Sequence, residues 1–278
     1  MTSGPDTIAY PIGLGPVTTR ILECNGGGEP VLLVHGLGAR ADRWRATLAS
    51  FGRAGYRALA VDLPGHGFAT KGPEAPASVP AFADMVEALL DALELPRIHL
   101  VGTSLGGHVL ATVATRRPDR VASLVLVGAV GLMPLGREAG DAIRANVRKT
   151  DRDAIVAKMR FVFENEALIT DTFVEEEWRI NNSPGAAESF EVLGDYIAGK
   201  IDADNVLEAL GSVAPRPPLL LVWGADDRAV PPTIGRKAAE ALGCRLVLIP
   251  SAGHAPYMER PDAFDAEVLP FLRQASGG

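Results

Sequence analysis

The stretch IHLVGTSLGGHVLATVATRRP, residues 98–118, decides the fold. A strand-like apolar run, Ile98 to Val101, stops at Gly102-Thr103-Ser104-Leu105-Gly106-Gly107. Helix-like sequence follows at once, from Leu105 to Arg116. G-x-S-x-G between a strand and a helix is the context of a nucleophile elbow, where a serine on a strained turn projects above the sheet. Small residues flank it so that strand and helix can approach closely. The same pattern also fits a glycine-rich turn whose serine caps the helix, so the motif has to be weighed with the rest of the chain.

Other short apolar runs are Val17–Cys24, Val31–Val34, Ala58–Val61, Leu124–Val127, Leu219–Trp223 and Leu246–Ile249. Several are near-continuous in Val, Leu and Ile, as strands buried on both faces of a mostly parallel sheet require. Helical candidates lie between them at Asp42–Ala54, Val79–Leu93, Thr233–Leu242 and Pro261–Arg273. The alternation predicts an α/β fold. It breaks between Met133 and Leu210, a charge-rich, helix-like stretch without a good strand candidate. One crossover needs far fewer residues, so this stretch reads as a helical insertion above the sheet.

The 278 residues suit one large domain, or a domain with an insertion. A net charge of −7 gives no basic field for nucleic acid or acidic lipid. No apolar run reaches bilayer-spanning length, and MTSGPDTIAYPIGLGP does not read as a secretory signal. The expectation is therefore a cytoplasmic protein, with Cys24 and Cys244 as free thiols. The sequence leaves room for a homodimer.

Further polar groups follow other strands. Leu33-Val34-His35-Gly36-Leu37-Gly38 is a tight turn after a buried run. With the elbow it offers two backbone donors for a developing oxyanion, the N–H groups of Leu37 and Leu105. Of five histidines, His254 lies in a loop after the last strand. His35, His66 and His99 fit structural roles, and His108 lies one helical turn beyond Ser104, pointing along the helix. No histidine pair has metal-ligand spacing, so no metal is expected, and no cofactor. Asp226 and Asp227 follow the strand Leu219–Trp223 and offer a carboxylate to orient the histidine. The order Ser104, aspartate, His254 matches that of α/β-hydrolases.

With these residues, the chain resembles the α/β-hydrolase family over essentially its whole length. The motifs are HGLG at 35–38, DLPGHG at 62–67, GTSLGG at 102–107, WGADD…P at 223–231 and GHAPYMERP at 253–261. The resemblance implies a mostly parallel eight-stranded sheet, with 1–133 and 211–278 as core and 134–210 as a helical cap inserted after the sixth strand. The D-x-x-x-P pattern favours Asp227 over Asp226 as the acid, and Asp62 and His66 take no chemistry. Ser104 argues against epoxide hydrolases and haloalkane dehalogenases, which carry aspartate at the elbow. Gly128-Ala129-Val130-Gly131 offers no rival acid after the sixth strand.

The resemblance implies a serine hydrolase of a partly apolar ester or lactone, acting through an acyl-enzyme. The alternative is a C–C bond hydrolase of 2-hydroxy-6-oxo-dienoates (ring meta-cleavage products), whose cap segment is similar to Phe173–Phe190. Those enzymes usually hold the substrate carboxylate with a cap arginine and place tryptophan after the catalytic histidine. Here the aligned residues are Glu177 and Ala255, with Arg179 on a different helix face. Glu177 is expected to repel a substrate carboxylate. A remoter alternative is a ligand receptor without catalysis. Pocket candidates are Gly36, Met133, Phe161, Trp178 and Val230, and Met159, Phe163, Phe173, Phe190 and Tyr196 could line it or form the insertion's own core.

Overall fold

The computed structural model describes residues 6–277. Its sheet has eight strands: β1 (Thr7–Leu14), β2 (Val17–Asn25), β3 (Pro30–Val34), β4 (Arg57–Val61), β5 (Ile98–Thr103), β6 (Val121–Val127), β7 (Leu219–Gly224) and β8 (Arg245–Ile249). Their order across the sheet is β1-β2-β4-β3-β5-β6-β7-β8. β2 pairs antiparallel with β1 and β4, and every other pairing is parallel.

Strand β1 had no place among the apolar runs. Pro11 interrupts it, and most of its side chains are exposed or half-buried. An edge strand tolerates both, because proline removes a donor the sheet does not need there. The inner strands behave as their composition requires. In β6, Leu124 and Leu126 face one core layer while Val125 and Val127 face the other, all essentially sealed from water.

Helices α1 (Arg45–Arg53), α2 (Val79–Ala92) and α3 (Leu105–Arg116) precede β6 or connect the strands before it. A 3-10 turn, Ala41–Trp44, leads into α1. Between β6 and β7 lie α4 (Arg137–Val147), α5 (Arg152–Val162), α6 (Asp171–Asn181), α7 (Ala186–Gly199) and α8 (Leu207–Ser212). No strand interrupts them among the described residues. α9 (Pro232–Leu242) precedes β8, and α10 (Pro256–Glu259) and α11 (Pro261–Ala275) follow it. Side chains of α2, α3 and α9 pack on one face of the sheet, and those of α1 and α11 on the other. Both faces are thus covered, which leaves the carboxyl ends of the parallel strands as the open place for a site. No helix is long and apolar enough to cross a membrane among the described residues.

Candidate active site

The turn from β5 to α3 puts Ser104 at φ 53° and ψ −120°, a backbone conformation that non-glycine residues seldom adopt. Holding it costs on the order of 1–3 kcal/mol. Ser104 N–H donates to Val127 O at 2.9 Å, and Ser104 O accepts from His108 N–H at 3.2 Å. A side chain at Gly106 would come within 2.4 Å of the carbonyl oxygens of Val34 and His35. Strand β3 and helix α3 therefore meet only because that position lacks a Cβ. Ser104 makes no side-chain cap to α3, so the helix-cap reading of the motif fails.

The acid and the histidine are gathered from β7 and β8. Asp227 is buried, while its neighbour Asp226 is exposed. Its Oδ1 accepts from the N–H groups of Ala229 and Val230, both at 2.9 Å. That bonding fixes the carboxylate and leaves Oδ2 to meet His254 Nδ1 at 2.8 Å. His254 N–H donates to Val162 O at 2.8 Å, which ties its loop to the end of α5.

Two residues that the sequence reading missed hold this arrangement. A Cβ on Gly128, at φ +51°, would lie 3.0 Å from His254 Nδ1 and 3.1 Å from Asp227 Oδ2. The absence of an acid after β6 thus has a steric counterpart: the Asp–His pair occupies that space. The second is Glu259, buried beside the histidine loop. Its Oε1 accepts from Gly253 N–H at 2.9 Å, and Oε2 from Glu164 and Asn165 N–H at 2.7 and 3.0 Å. Both stand within or beside quoted motifs, but nothing in residue spacing reveals such long-range closure.

The other histidines are occupied elsewhere. His35 Nε2 accepts from Leu63 N–H at 2.9 Å, so its Nδ1 carries the proton that bonds Gly36 O at 2.8 Å. Burial holds its imidazole down at about 4. His66 bonds Pro64 O, and burial followed by the nearby His35 lowers it to about 3. His99 bonds Ser123 and Glu29, and His108 bonds Asp204 O at 2.7 Å.

A cavity of about 610 Å³ opens over Ser104 and His254. Gly36, Leu37 and Phe161 line it, as do Met159, Phe163 and Phe190. Phe161 is 54% exposed and so belongs to its rim. Met133, Trp178 and Val230 do not line it. Trp178 stacks under Arg152 at 3.8 Å, and Val230 is spent in holding Asp227 and in accepting from Trp223 Nε1. Met133 is half-buried outside the lining. Phe173 and Tyr196 also stay out: Phe173 packs on Phe163, and Tyr196 donates to Asp204 at 2.6 Å. Leu105 has its side chain in the core, so only its amide can serve. Neither the Leu37 nor the Leu105 amide donates to another group among the described residues. No cluster of possible metal ligands occurs among the described residues.

Glu177 lines the cavity, but it is not a bare negative charge. It is 3% exposed, with Arg40 Nη1 at 2.5 Å and Arg43 Nη2 at 2.9 Å. Repulsion of a substrate carboxylate, the expectation from sequence, ignored these two cations from the turn after β3. Arg43 also lines the cavity. Arg43 follows HGLG by only five residues, but the sequence places it in the helix candidate Asp42–Ala54 and gives it no role, whereas it lies in the 3-10 turn before α1.

Comparison with known proteins agrees with this architecture. The family model described as alpha/beta hydrolase fold matches residues 29–261. A dihydrolipoyllysine-residue acetyltransferase component of an acetoin cleaving system from Pseudomonas putida is 34% identical over 250 residues, 89% of this chain. The chain spans 64% of that relative's length. A 2-hydroxy-6-oxononadienedioate/2-hydroxy-6-oxononatrienedioate hydrolase from Klebsiella pneumoniae is 30% identical over 271 residues, covering 92% of this chain and 91% of the relative. The solved 2-hydroxy-6-oxo-6-phenylhexa-2,4-dienoate hydrolase of a Rhodococcus species superposes with a TM-score of 0.86 at 20% identity, over 97% of this chain and 99% of that one. That likeness is one of fold. The chain belongs to the alpha/beta hydrolase fold family.

Proposed function

We propose that Ser104, His254 and Asp227 form a catalytic triad that cleaves a carbon–carbon bond beside a ketone, in a substrate of the 2-hydroxy-6-oxo-dienoate class. The observation that carries this choice of bond is the near full-length relation, at 30% identity, to a hydrolase named for such substrates. It supports this bond over the ester or lactone expected first from the sequence. Residues 134–210 act as a cap that selects the substrate, and α5, α6 and α7 contribute to the cavity lining.

In this reading, His254 takes the Ser104 proton as Oγ attacks the ketone carbonyl, and the Leu37 and Leu105 amides receive the oxyanion. Asp227 fixes the imidazole tautomer and steadies the imidazolium. The 2-hydroxydienoate has first to tautomerise, its hydroxyl proton lost and a proton gained at C5. Collapse then breaks the C5–C6 bond and leaves the electron pair delocalised through the C3–C4 double bond into the 2-oxo group. The imidazolium returns its proton to that fragment. Water, deprotonated by His254, then releases the acyl group as a carboxylic acid.

Ester or lactone hydrolysis is the second reading, and Ala255 favours it, since meta-cleavage-product hydrolases usually carry tryptophan after the histidine. Absorbance decay of a 2-hydroxy-6-oxo-6-aryl-dienoate, compared with a panel of p-nitrophenyl esters, separates the two. A higher kcat/KM on the dienoate supports the first. A higher value on any ester establishes the second.

A further inference from the structure

The polar side of the cavity holds an arginine whose donors are unevenly used. Arg43 Nη2 bonds Glu177 at 2.9 Å. Its Nε is sealed from solvent without an acceptor. Nη1 has no acceptor among the described residues, yet it is not among the sealed atoms, and Arg43 lines the cavity. The guanidinium carbon sits over the Phe173 ring, 4.2 Å from its centroid, and 5.5 Å from that of Phe163. It is therefore pre-positioned, and one end of its fork is open to whatever fills the cavity.

The surrounding charge favours an anion there. Arg40, which also bonds Glu177 at 2.5 Å, is itself met by Asp42 and Glu176. The balance therefore rests on the charged groups lining the cavity: Arg43, Lys149 and Lys158 against Asp153 and Glu177. The open Nη1 of a planar guanidinium held in place offers a carboxylate oxygen a charge-assisted hydrogen bond of fixed direction.

We propose that Arg43 Nη1 is the carboxylate-recognition point of this cavity, so that the preferred substrate is an anionic keto acid or acid ester read from the loop after β3. Glu177 is the positioning residue that holds the guanidinium in place. The inference names the substrate class for the proposed hydrolase and rests on that reading for its catalytic meaning, but the anion site itself can be measured without turnover.

The test uses 6-oxo-6-phenylhexanoate and its primary amide as probes, titrated by calorimetry into the full chain carrying Ser104→Ala. The acid binds more tightly than the amide by about tenfold or more, as expected for hydrogen bonds to a charged group. Adding Arg43→Gln brings the two within about twofold, with unchanged circular dichroism. Lys158→Met leaves most of the preference in place, which keeps the proposal testable should Arg43→Gln fail to fold. Equal affinities with Arg43 present, no binding of the acid, or a preference that survives Arg43→Gln overturns the proposal. So does a preference lost entirely in Lys158→Met. Failure here leaves Ser104 chemistry untouched, because that chemistry is read separately from ester or dienoate turnover.

Discussion

Two regions meet at the cavity, and they are held by different forces. At the strand ends, the key groups are fixed by the backbone: Ser104 through Val127 O, Asp227 through the amides of Ala229 and Val230, His254 through Val162 O. In the segment from α4 to α7, much of the polar bonding runs between exposed side chains. Arg144 and Arg148 meet Asp195, and Arg152 and Arg179 meet Glu175. Such exposed pairs contribute about 0–1 kcal/mol each. The strand ends therefore hold fixed geometry, which chemistry demands, while the helical segment can change sequence and still fold. The buried group of Arg40, Arg43 and Glu177 joins the two regions.

The contrast can be broken by substitution. Ser104→Ala is the largest expected effect, a loss of about 10⁴-fold or more in kcat with unchanged folding. Glu177→Ala leaves the largely buried Arg43 without its carboxylate, while Arg40 keeps Asp42 and Glu176, and should cost about 3 kcal/mol in denaturant unfolding. If that cost falls below about 1 kcal/mol, the pairing is no stronger than the exposed ones. Gly128→Ala pushes a methyl against the His254–Asp227 bond and should lower kcat by about 10–100-fold while the fold persists. Unchanged kcat would show that the strand ends are less tightly set than this contrast requires.

Acid should weaken the same region. The folded protein holds His35 at about 4 and His66 at about 3, below the unfolded value of about 6.5. Between those limits the unfolded chain binds more protons, so stability falls as pH drops from about 6.5 towards 4. Above about 6.5 these two groups contribute no pH dependence. Unfolding midpoints between pH 7 and 4 check the slope, and His35→Gln should flatten part of it if the fold accepts the change. The smallest effect is Arg179→Ala, at most about 0.5 kcal/mol, because its pair with Glu175 is exposed.

The same physical difference explains what could be read in advance. Buried strands declare themselves as Val, Leu and Ile runs, and turns that need small residues declare themselves as glycines. The α/β architecture was legible for that reason, as were the positions of Ser104, Asp227 and His254 at its strand ends. Strand β1 was not, because an exposed edge needs no apolar run. The helical segment was read correctly as helices, but not by facing. Trp178 and Phe161 sit in adjacent helices with similar surroundings in sequence, yet Arg152 covers the first while the second reaches the cavity rim. Periodicity gives a helix an apolar side; it does not say which neighbour that side meets. Glu177 was misjudged for the same reason, since its partners lie 134 and 137 residues away.

The central claim, that Ser104 is a nucleophile driven by His254 and Asp227, is tested most directly by fluorophosphonate labelling with peptide mass mapping. A single adduct on Ser104 is predicted in the intact protein, with strongly slowed labelling in His254→Ala and none in Ser104→Ala. An unlabelled intact protein, or labelling that persists in Ser104→Ala, would contradict it.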